Sequence, residues 1–109
     1  MVKIYNTNIE TGTLEEINNF IKGSWINMVN PTEKEIQEVC ESVKIKDQFI
    51  KYSLDLEEKA RIDIEEDDKT ILFVIDIPIT EKVDGAETYT TMPIGMIVVR
   101  DEFFITVSL

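Results

Sequence analysis

The spacing of apolar residues predicts short elements from the start of the chain. Val2–Tyr5 has the composition of a strand. Thr13 lies three residues before Glu16, a spacing typical of a capping box at the start of a helix. A helix ending at Gly23 would place four apolar side chains on one face, and a short strand over Thr13–Ile17 is the alternative. The four side chains are Leu14, Ile17, Phe20 and Ile21.

The clearest local signal is a strand that leads into a capped helix. Trp25–Val29 has the composition of a strand. Asn30-Pro31 ends it, because proline has no N–H and disfavours helical geometry at the preceding residue. Thr32 then lies three residues before Glu35, which is a second capping-box spacing. The apolar residues that follow have helical spacing and predict one buried stripe. The stripe consists of Ile36, Val39, Cys40 and Val43.

Two residues of this region have both a structural and a functional interpretation. Trp25 is either a binding surface or part of the scaffold. Its position favours a scaffold role, in which it anchors the helix to the sheet and its indole N–H donates to a backbone acceptor. Cys40 lies on the apolar stripe, which favours a small core residue over a reactive thiol. Because Cys40 is the only cysteine, an internal disulfide is excluded, and a reducing compartment is expected.

The middle of the chain predicts a second helix and two strands. Asp47 is placed to cap a short helix. Arg61–Glu65 alternates charged and apolar residues, as expected of a strand with one solvated face. Thr70–Ile77 is almost entirely apolar or β-branched, which predicts a central strand covered on both faces. Pro78 is expected to end that strand.

The last third of the chain predicts a hairpin and a final strand. Asp84-Gly85 is a hairpin turn signal. The return strand is expected over Thr88–Thr91 and Ile94–Val99, with an interruption at Met92-Pro93. Phe103–Leu109 is the last predicted strand.

This order of elements predicts one α+β domain over residues 1–109, with two or three short helices packed on a mostly antiparallel sheet. The chain stops at Leu109 inside an apolar strand. That ending favours a fragment of a longer protein over a natural C-terminal strand.

Composition excludes several classes of function. Lysine and arginine number 11 against 22 acidic residues, a net charge of −11. A surface this negative repels nucleic acids and anionic membranes. No histidine is present, which removes histidine-based catalysis and histidine metal sites. There is no signal peptide, no membrane span and no glycine-rich phosphate loop. Asp76 is the best candidate for carboxylate catalysis, but its place near a strand end favours a solvated rim.

Acidic residues concentrate between residues 55 and 68. This segment holds eight acidic and two basic residues, a net charge of −6. Clustered carboxylates without sulfur or imidazole favour hard cations such as Mg²⁺ or Ca²⁺. The alternating pattern of an EF-hand is absent, and a solvated acidic loop is the alternative interpretation.

The order of three motifs resembles a known family. W-I-N-M-V-N-P-T-E-K-E-I is followed by F-I-K-Y-S-L-D-L-E-E-K-A-R-I-D-I-E-E-D-D, and then by T-I-L-F-V-I-D-I-P-I and F-F-I-T-V. Together they resemble the N-terminal cytoplasmic domain of CorA-type magnesium transporters over nearly the whole chain. The resemblance implies a regulatory α/β domain of a homo-pentameric channel at the cytoplasmic face of the membrane. It also implies that the stalk and transmembrane helices lie outside this chain.

In that family Mg²⁺ binds between neighbouring cytoplasmic domains and holds the pore closed. An acidic pair on the short helix provides ligands in some members, and the matching positions here are Lys51 and Tyr52. Asp55, Glu57 and Glu58 are the nearest substitutes, although Asp55 with Glu58 three residues later also fits a helix cap. The resemblance therefore implies weak Mg²⁺ binding by this chain and no enzymatic activity. A free-standing acidic module that binds a basic protein is the rival hypothesis.

Overall fold

The computed structural model describes residues 1–55 and 60–109. Within them, seven strands form one mixed sheet in the order β2-β1-β3-β7-β6-β5-β4. Two helices, α1 (Glu33–Val43) and α2 (Asp47–Ser53), lie between β3 and β4 in the chain. The strands are β1 (Val2–Thr7), β2 (Leu14–Ile17), β3 (Ser24–Val29), β4 (Arg61–Glu65), β5 (Thr70–Val83), β6 (Ala86–Val99) and β7 (Phe103–Ser108).

The predicted α+β class is confirmed. All neighbouring strands pair antiparallel except β3 and β7, which are parallel. Both helices pack on one side of the sheet, where they form the core with the inward side chains of the strands. The other side, called the open face below, has no helix from the described residues on it. The core side chains from the helices and their junction are Ile36, Val39, Cys40, Val43, Ile45, Phe49 and Ile50.

The predicted helix after Thr13 is wrong, and its strand alternative is correct. The Asn8 side chain accepts hydrogen bonds from the N–H groups of Glu10 and Thr11, which stabilises a turn. This turn brings β2 back along β1. Of the four apolar side chains, Ile17 and Phe20 pack against the core, whereas Leu14 is 53% exposed and Ile21 is 49% exposed. Local hydrogen bonding in the turn therefore decides between the two interpretations.

The capped helix is confirmed. The Thr32 hydroxyl accepts from the N–H of Glu35 at 3.2 Å, and the Glu35 carboxylate accepts from the N–H of Thr32 at 2.9 Å. The second predicted cap is wrong. Helix α2 begins at Asp47, its N-cap residue is Lys46, and no side chain caps it.

Helix α2 lies unusually close to β6. Gly95 has no side chain, and a Cβ atom there would lie 1.8 Å from Oγ and 2.3 Å from Cβ of Ser53. Ser53 is fully buried, and its hydroxyl donates to the carbonyl oxygen of Phe49 at 3.1 Å. The glycine therefore sets the distance at which the helix packs against the sheet.

Strands β5 and β6 are longer than predicted and form a ribbon that projects from the sheet. Neither proline interrupts them. Strand β4 pairs with β5 only as far as Val74, and β7 pairs with β6 only from Gly95 onward. Pro78 and Pro93 thus lie where each strand has a neighbour on one side only, and proline is tolerated there. The ribbon ends in the predicted Asp84-Gly85 turn, where both residues have positive φ.

Strand β5 is not covered on both faces, contrary to the prediction from Thr70–Ile77. Its even-numbered residues from Thr70 to Val74 are buried under the helices, while Ile71 and Phe73 are half-buried on the open face. Ile75 is 40% exposed. Strand β5 is also second from the edge of the sheet rather than central.

Trp25 also lies on the open face, so the predicted anchoring of α1 is wrong. Its ring packs against Tyr5, with 5.0 Å between centroids. The indole N–H donates to the hydroxyl of Thr106 at 2.9 Å, and that hydroxyl donates to the Asn27 side chain at 2.9 Å. The acceptor is therefore a side chain on β7 rather than the expected backbone group. Trp25 joins β1, β3 and β7, a scaffold role.

Gly95→Ala should destabilise the protein by about 2 kcal/mol or more, because the added methyl group overlaps Ser53. Chemical denaturation measures the change in the free energy of unfolding. Combining it with Ser53→Gly removes the overlap, so the double variant should lose less stability than the two single changes together. Additive losses would contradict the close approach of α2 to β6.

Candidate functional site

The predicted metal ligands lie where α2 leads toward β4. Asp55 follows the C-cap residue Leu54 and is exposed, and its N–H donates to the carbonyl oxygen of Tyr52 at 3.3 Å. Glu57 and Glu58 lie outside the described residues. Asp55 is thus a carboxylate within reach of solvent at the end of a short helix, and it can contribute one oxygen ligand to a hydrated cation.

Lys51 occupies one of the two positions at which the resemblance implies a carboxylate. Its Nζ lies 3.1 Å from a carboxylate oxygen of Glu33 and 3.1 Å from one of Asp47. These hydrogen bonds, first to Asp47 and then to Glu33, raise the pKa of Lys51 above its ordinary value. A resident ammonium group therefore lies between two carboxylates, where a metal ion would otherwise be drawn.

Tyr52, at the second position, is also next to a cation. The guanidinium carbon of Arg61 lies 4.4 Å from the centroid of the Tyr52 ring. The same guanidinium group makes an ion pair with Asp63, with 3.0 Å between nitrogen and oxygen. This cation–π and ion-pair arrangement links the last turn of α2 to β4.

Charged and apolar residues alternate along β4, but they face the opposite way from those of an ordinary edge strand. Its charged residues were expected on a solvated face. They are instead half-buried on the side of the helices, while Ile62 and Ile64 are 62% and 66% exposed on the open face. Between α2 and β4 there is a cavity of about 230 Å³. Its lining consists of Gln48, Phe49, Tyr52, Asp63, Ile64 and Glu65.

The positions of the acidic side chains near α2 and β4 show whether a divalent cation fits there. Among residues 1–55 and 60–109, no group of three or more acidic or cysteine side chains could hold a metal ion. Lys51 and Arg61 already neutralise the carboxylates nearest to them. A closed carboxylate cage is therefore not formed by the described residues. The exposed Asp55 fits only a site in which the cation keeps most of its water.

Two candidate reactive groups have structural surroundings. Burial raises the pKa of the Cys40 thiol to about 11, and the negative charge of Asp47 adds to the effect. The thiol is thus protonated at neutral pH, as expected of a core residue. Asp76 is exposed on the projecting ribbon, opposite Pro93, which agrees with a solvated rim.

Sequence reasoning missed the two resident cations. The Asp47–Lys51 pair has i, i+4 spacing on one helix, so the sequence carried a signal for it. The contributions of Glu33 and of the Arg61–Tyr52 stacking depend on how α1, α2 and β4 pack, and no local pattern indicates them.

Comparisons with models of known protein families and with curated protein sequences found no match. The solved structures to which this chain is similar include two CorA structures from Methanocaldococcus jannaschii. The soluble domain of CorA is similar with a TM-score of 0.75 and 18% identity, over 98% of this chain and 40% of that chain. The complete CorA magnesium transporter is similar with a TM-score of 0.71 and 17% identity, over 98% of this chain and 32% of that chain.

The chain thus spans well under half the length of either structure. At these identities the similarity establishes the fold. The fold implied by the motif order, that of the soluble domain of CorA, is confirmed across nearly the whole chain. In the described part of the chain, no helix has the length and apolar composition needed to cross a bilayer.

Lys51→Glu should make the stability of the protein depend on a divalent cation bound near Glu33 and Asp47. The change places a third carboxylate beside Glu33 and Asp47, which repel one another until a divalent cation binds. Thermal melting should show a lower Tm than wild type without Mg²⁺. We expect 10 mM MgCl2 to raise that Tm by about 4 °C or more beyond its effect on wild type.

Lys51→Gln is the matched control, because it removes the ammonium group without adding a carboxylate. All measurements are compared with NaCl at the same ionic strength. An equal response of the three proteins to Mg²⁺ would show that Lys51 does not take the place of a cation.

Proposed function

We propose that residues 1–109 form one domain, the N-terminal portion of the cytoplasmic regulatory domain of a CorA-like divalent-cation transporter. The role is non-enzymatic, and the domain senses intracellular Mg²⁺ to gate the pore. The similarity of fold to the soluble domain of CorA over 98% of the chain carries the proposal. The order of the motifs and the net charge of −11 support it.

In the intact protein this domain lies at the cytoplasmic face of the cell membrane, as part of a homo-pentamer. The regulatory cation is bound by Asp55, Glu57 and Glu58 together with a neighbouring subunit. Carboxylates that face one another across a subunit boundary repel, and a bound Mg²⁺ removes that repulsion in the closed arrangement. Loss of the ion therefore shifts the population toward the open state.

The ion pairs around α2 support weak binding of the cation. Lys51 and Arg61 already neutralise Glu33, Asp47 and Asp63, so these three carboxylates add little attraction for the cation. Half of the subunit interface is missing from a separate chain. The affinity of the 109-residue chain for Mg²⁺ is accordingly low, with a Kd on the order of 1 mM or weaker.

The coding sequence that follows codon 109 tests the proposed transporter. A pair of hydrophobic membrane spans is expected within a few hundred codons. If no such pair is encoded, the chain is not part of a transporter. A stop codon directly after Leu109, with tight and salt-sensitive binding to a basic protein, would instead favour the acidic interaction module. The net charge of −11 is the observation behind that second candidate.

Titration of the ¹⁵N-labelled chain with MgCl2 tests the proposed ligands. Chemical-shift changes in the millimolar range are expected around residues 55–58, because the carboxylates there exchange the ion rapidly. The triple variant Asp55→Asn, Glu57→Gln, Glu58→Gln should lose these changes.

The matched control removes three acidic residues from the projecting ribbon: Glu81→Gln, Asp84→Asn and Glu87→Gln. It should retain the response at residues 55–58. Tight one-to-one binding by the monomer, or equal loss of response in both triple variants, would contradict the proposed site.

A further inference from the structure

The turn at the end of the projecting ribbon has a backbone nitrogen that takes no part in the sheet. Asp84 and Gly85 have φ values of 52° and 80°, as both central residues of a type I′ turn do. The pairing of Val83 with Ala86 closes this two-residue loop. The N–H of Gly85 lies between them, and it donates to no group among residues 1–55 and 60–109.

The carboxyl group of Asp84 lies next to that nitrogen and is not held. Asp84 is exposed, and no hydrogen bond or ion pair from the described residues fixes its side chain. A Cβ atom built on Gly85 would meet no atom within 4 Å apart from its chain neighbours. The Asp84 carboxyl group can therefore approach the nitrogen of Gly85 without steric hindrance.

The end of the ribbon is also free to open. All residues from 80 to 91 are exposed. Strand β4 pairs with β5 only as far as Val74, and β7 pairs with β6 only from Gly95 onward. A two-stranded ribbon without further strands beside it opens locally at a low free-energy cost. Asp84 can therefore reach backbone angles that the closed turn does not allow.

We propose that Asp84-Gly85 is a site of spontaneous covalent modification, at which Asp84 isomerises to isoaspartate. The backbone nitrogen of Gly85 attacks Cγ of the protonated Asp84 carboxyl group and closes a five-membered succinimide ring. The N–Cγ bond forms and the C–OH bond breaks, so that the hydroxyl group leaves as water with the proton of the N–H. Because both groups belong to one dipeptide, the reaction avoids the entropy cost of bringing two molecules together.

Hydrolysis then opens the ring at one of its two carbonyl groups. Water that adds at Cγ restores aspartate. Water that adds at the main-chain carbonyl carbon of Asp84 breaks the bond from that carbon to the nitrogen of Gly85, and the main chain then runs through Cβ and Cγ. One water molecule is lost and one is regained, so the mass is unchanged and no oxidant or reductant is needed.

The turn between β6 and β7 provides a matched contrast. Arg100 and Asp101 also have positive φ, and Asp101 is exposed. The nitrogen that would attack there belongs to Glu102, and its N–H donates to the carbonyl oxygen of Val99 at 2.8 Å. The Glu102 carboxylate is held as well, 3.5 Å from Nζ of Lys22. This second turn is thus closed at the atom where ring formation would begin.

Isomerisation lengthens the turn of the ribbon. Isoaspartate adds one carbon atom to the backbone between Val83 and Ala86, whereas a type I′ loop fits a hairpin with two ordinary residues. The pairing of Val83 with Ala86 is therefore lost, and the ribbon opens from its end. The core is unaffected, because residues 80–91 contribute no side chain to it.

Incubation of the 109-residue chain at 37 °C and pH 6, followed by tryptic digestion, tests the proposal. The peptide of residues 83–100 contains Asp84 as its only aspartate, and the peptide of residues 101–109 contains only Asp101. Chromatography with electron-transfer fragmentation distinguishes isoaspartate from aspartate. Isoaspartate should form about 10-fold or more faster at Asp84 than at Asp101. Equal rates at the two sites would overturn the proposal.

The same measurement in guanidinium chloride separates the effect of the fold from that of the dipeptide. At Asp84 the rate in the native protein should lie within about 10-fold of the rate in the denatured chain, because the ribbon end opens easily. At Asp101 the native rate should be far below the denatured rate. Equally strong protection of both sites by the fold would show that the ribbon end stays closed, and the inference is then wrong.

Asp84→Glu is the matched variant, because it keeps the charge but needs a six-membered ring, which closes far more slowly. After incubation, the ¹⁵N–¹H spectrum of wild type should change around residues 80–89, and that of Asp84→Glu should not. Equal changes in both proteins would contradict the proposed reaction. The ribbon is separate from residues 55–58, so failure here leaves the proposed transporter domain unaffected.

Discussion

The packing of two short helices on one side of a seven-stranded sheet constrains the rest of the molecule. Only Gly95 allows α2 to approach β6 this closely, because any side chain there would overlap Ser53. The core is built entirely on that side. Strands that are apolar on both faces therefore have outward apolar side chains with no helix from residues 1–55 and 60–109 over them. An exposed apolar face of this kind marks a surface for contact with a further layer.

The same arrangement separates apolar contact from charge. Strand β4 turns its charged residues toward the helices, where Arg61 pairs with Asp63 and lies over Tyr52. Lys51 joins the first turns of both helices through Glu33 and Asp47. These pairs are substantially exposed, so each contributes little to stability. Their main effect is electrostatic, since they neutralise the carboxylates that would otherwise attract a cation.

Local features of the fold were readable from the sequence. The Thr32–Glu35 cap and the Asp84-Gly85 turn depend on residues within a few positions of each other, and both were predicted correctly. Features that depend on residues distant in the sequence were not readable in this way. The short apolar pattern after Thr13 fits a helix or a strand, and the hydrogen bonds of Asn8 decide. Pro78 was read as a strand end, yet a proline disturbs a sheet only where a neighbouring strand needs its N–H.

The open face and the candidate site escaped prediction for related reasons. Both faces of Thr70–Ile77 are apolar, so the sequence indicates that both are covered but does not identify what covers each one. Trp25 lies among apolar neighbours on both sides of its strand, and its face was therefore ambiguous. At the site, Asp55 was predicted as a ligand from its neighbours in the chain. The cations that limit the site come from packing between α1, α2 and β4.

The separation of charge from apolar contact also determines how Mg²⁺ acts on this chain. A divalent cation screens the repulsion between copies with a net charge of −11 each, so it favours any association between them even without a specific ligand. Association promoted by Mg²⁺ is thus no evidence for a regulatory site. A specific site acts beyond the effect of NaCl at equal ionic strength, and its effect depends on the carboxylates near Asp55. Screening depends only on ionic strength and persists when those carboxylates are removed.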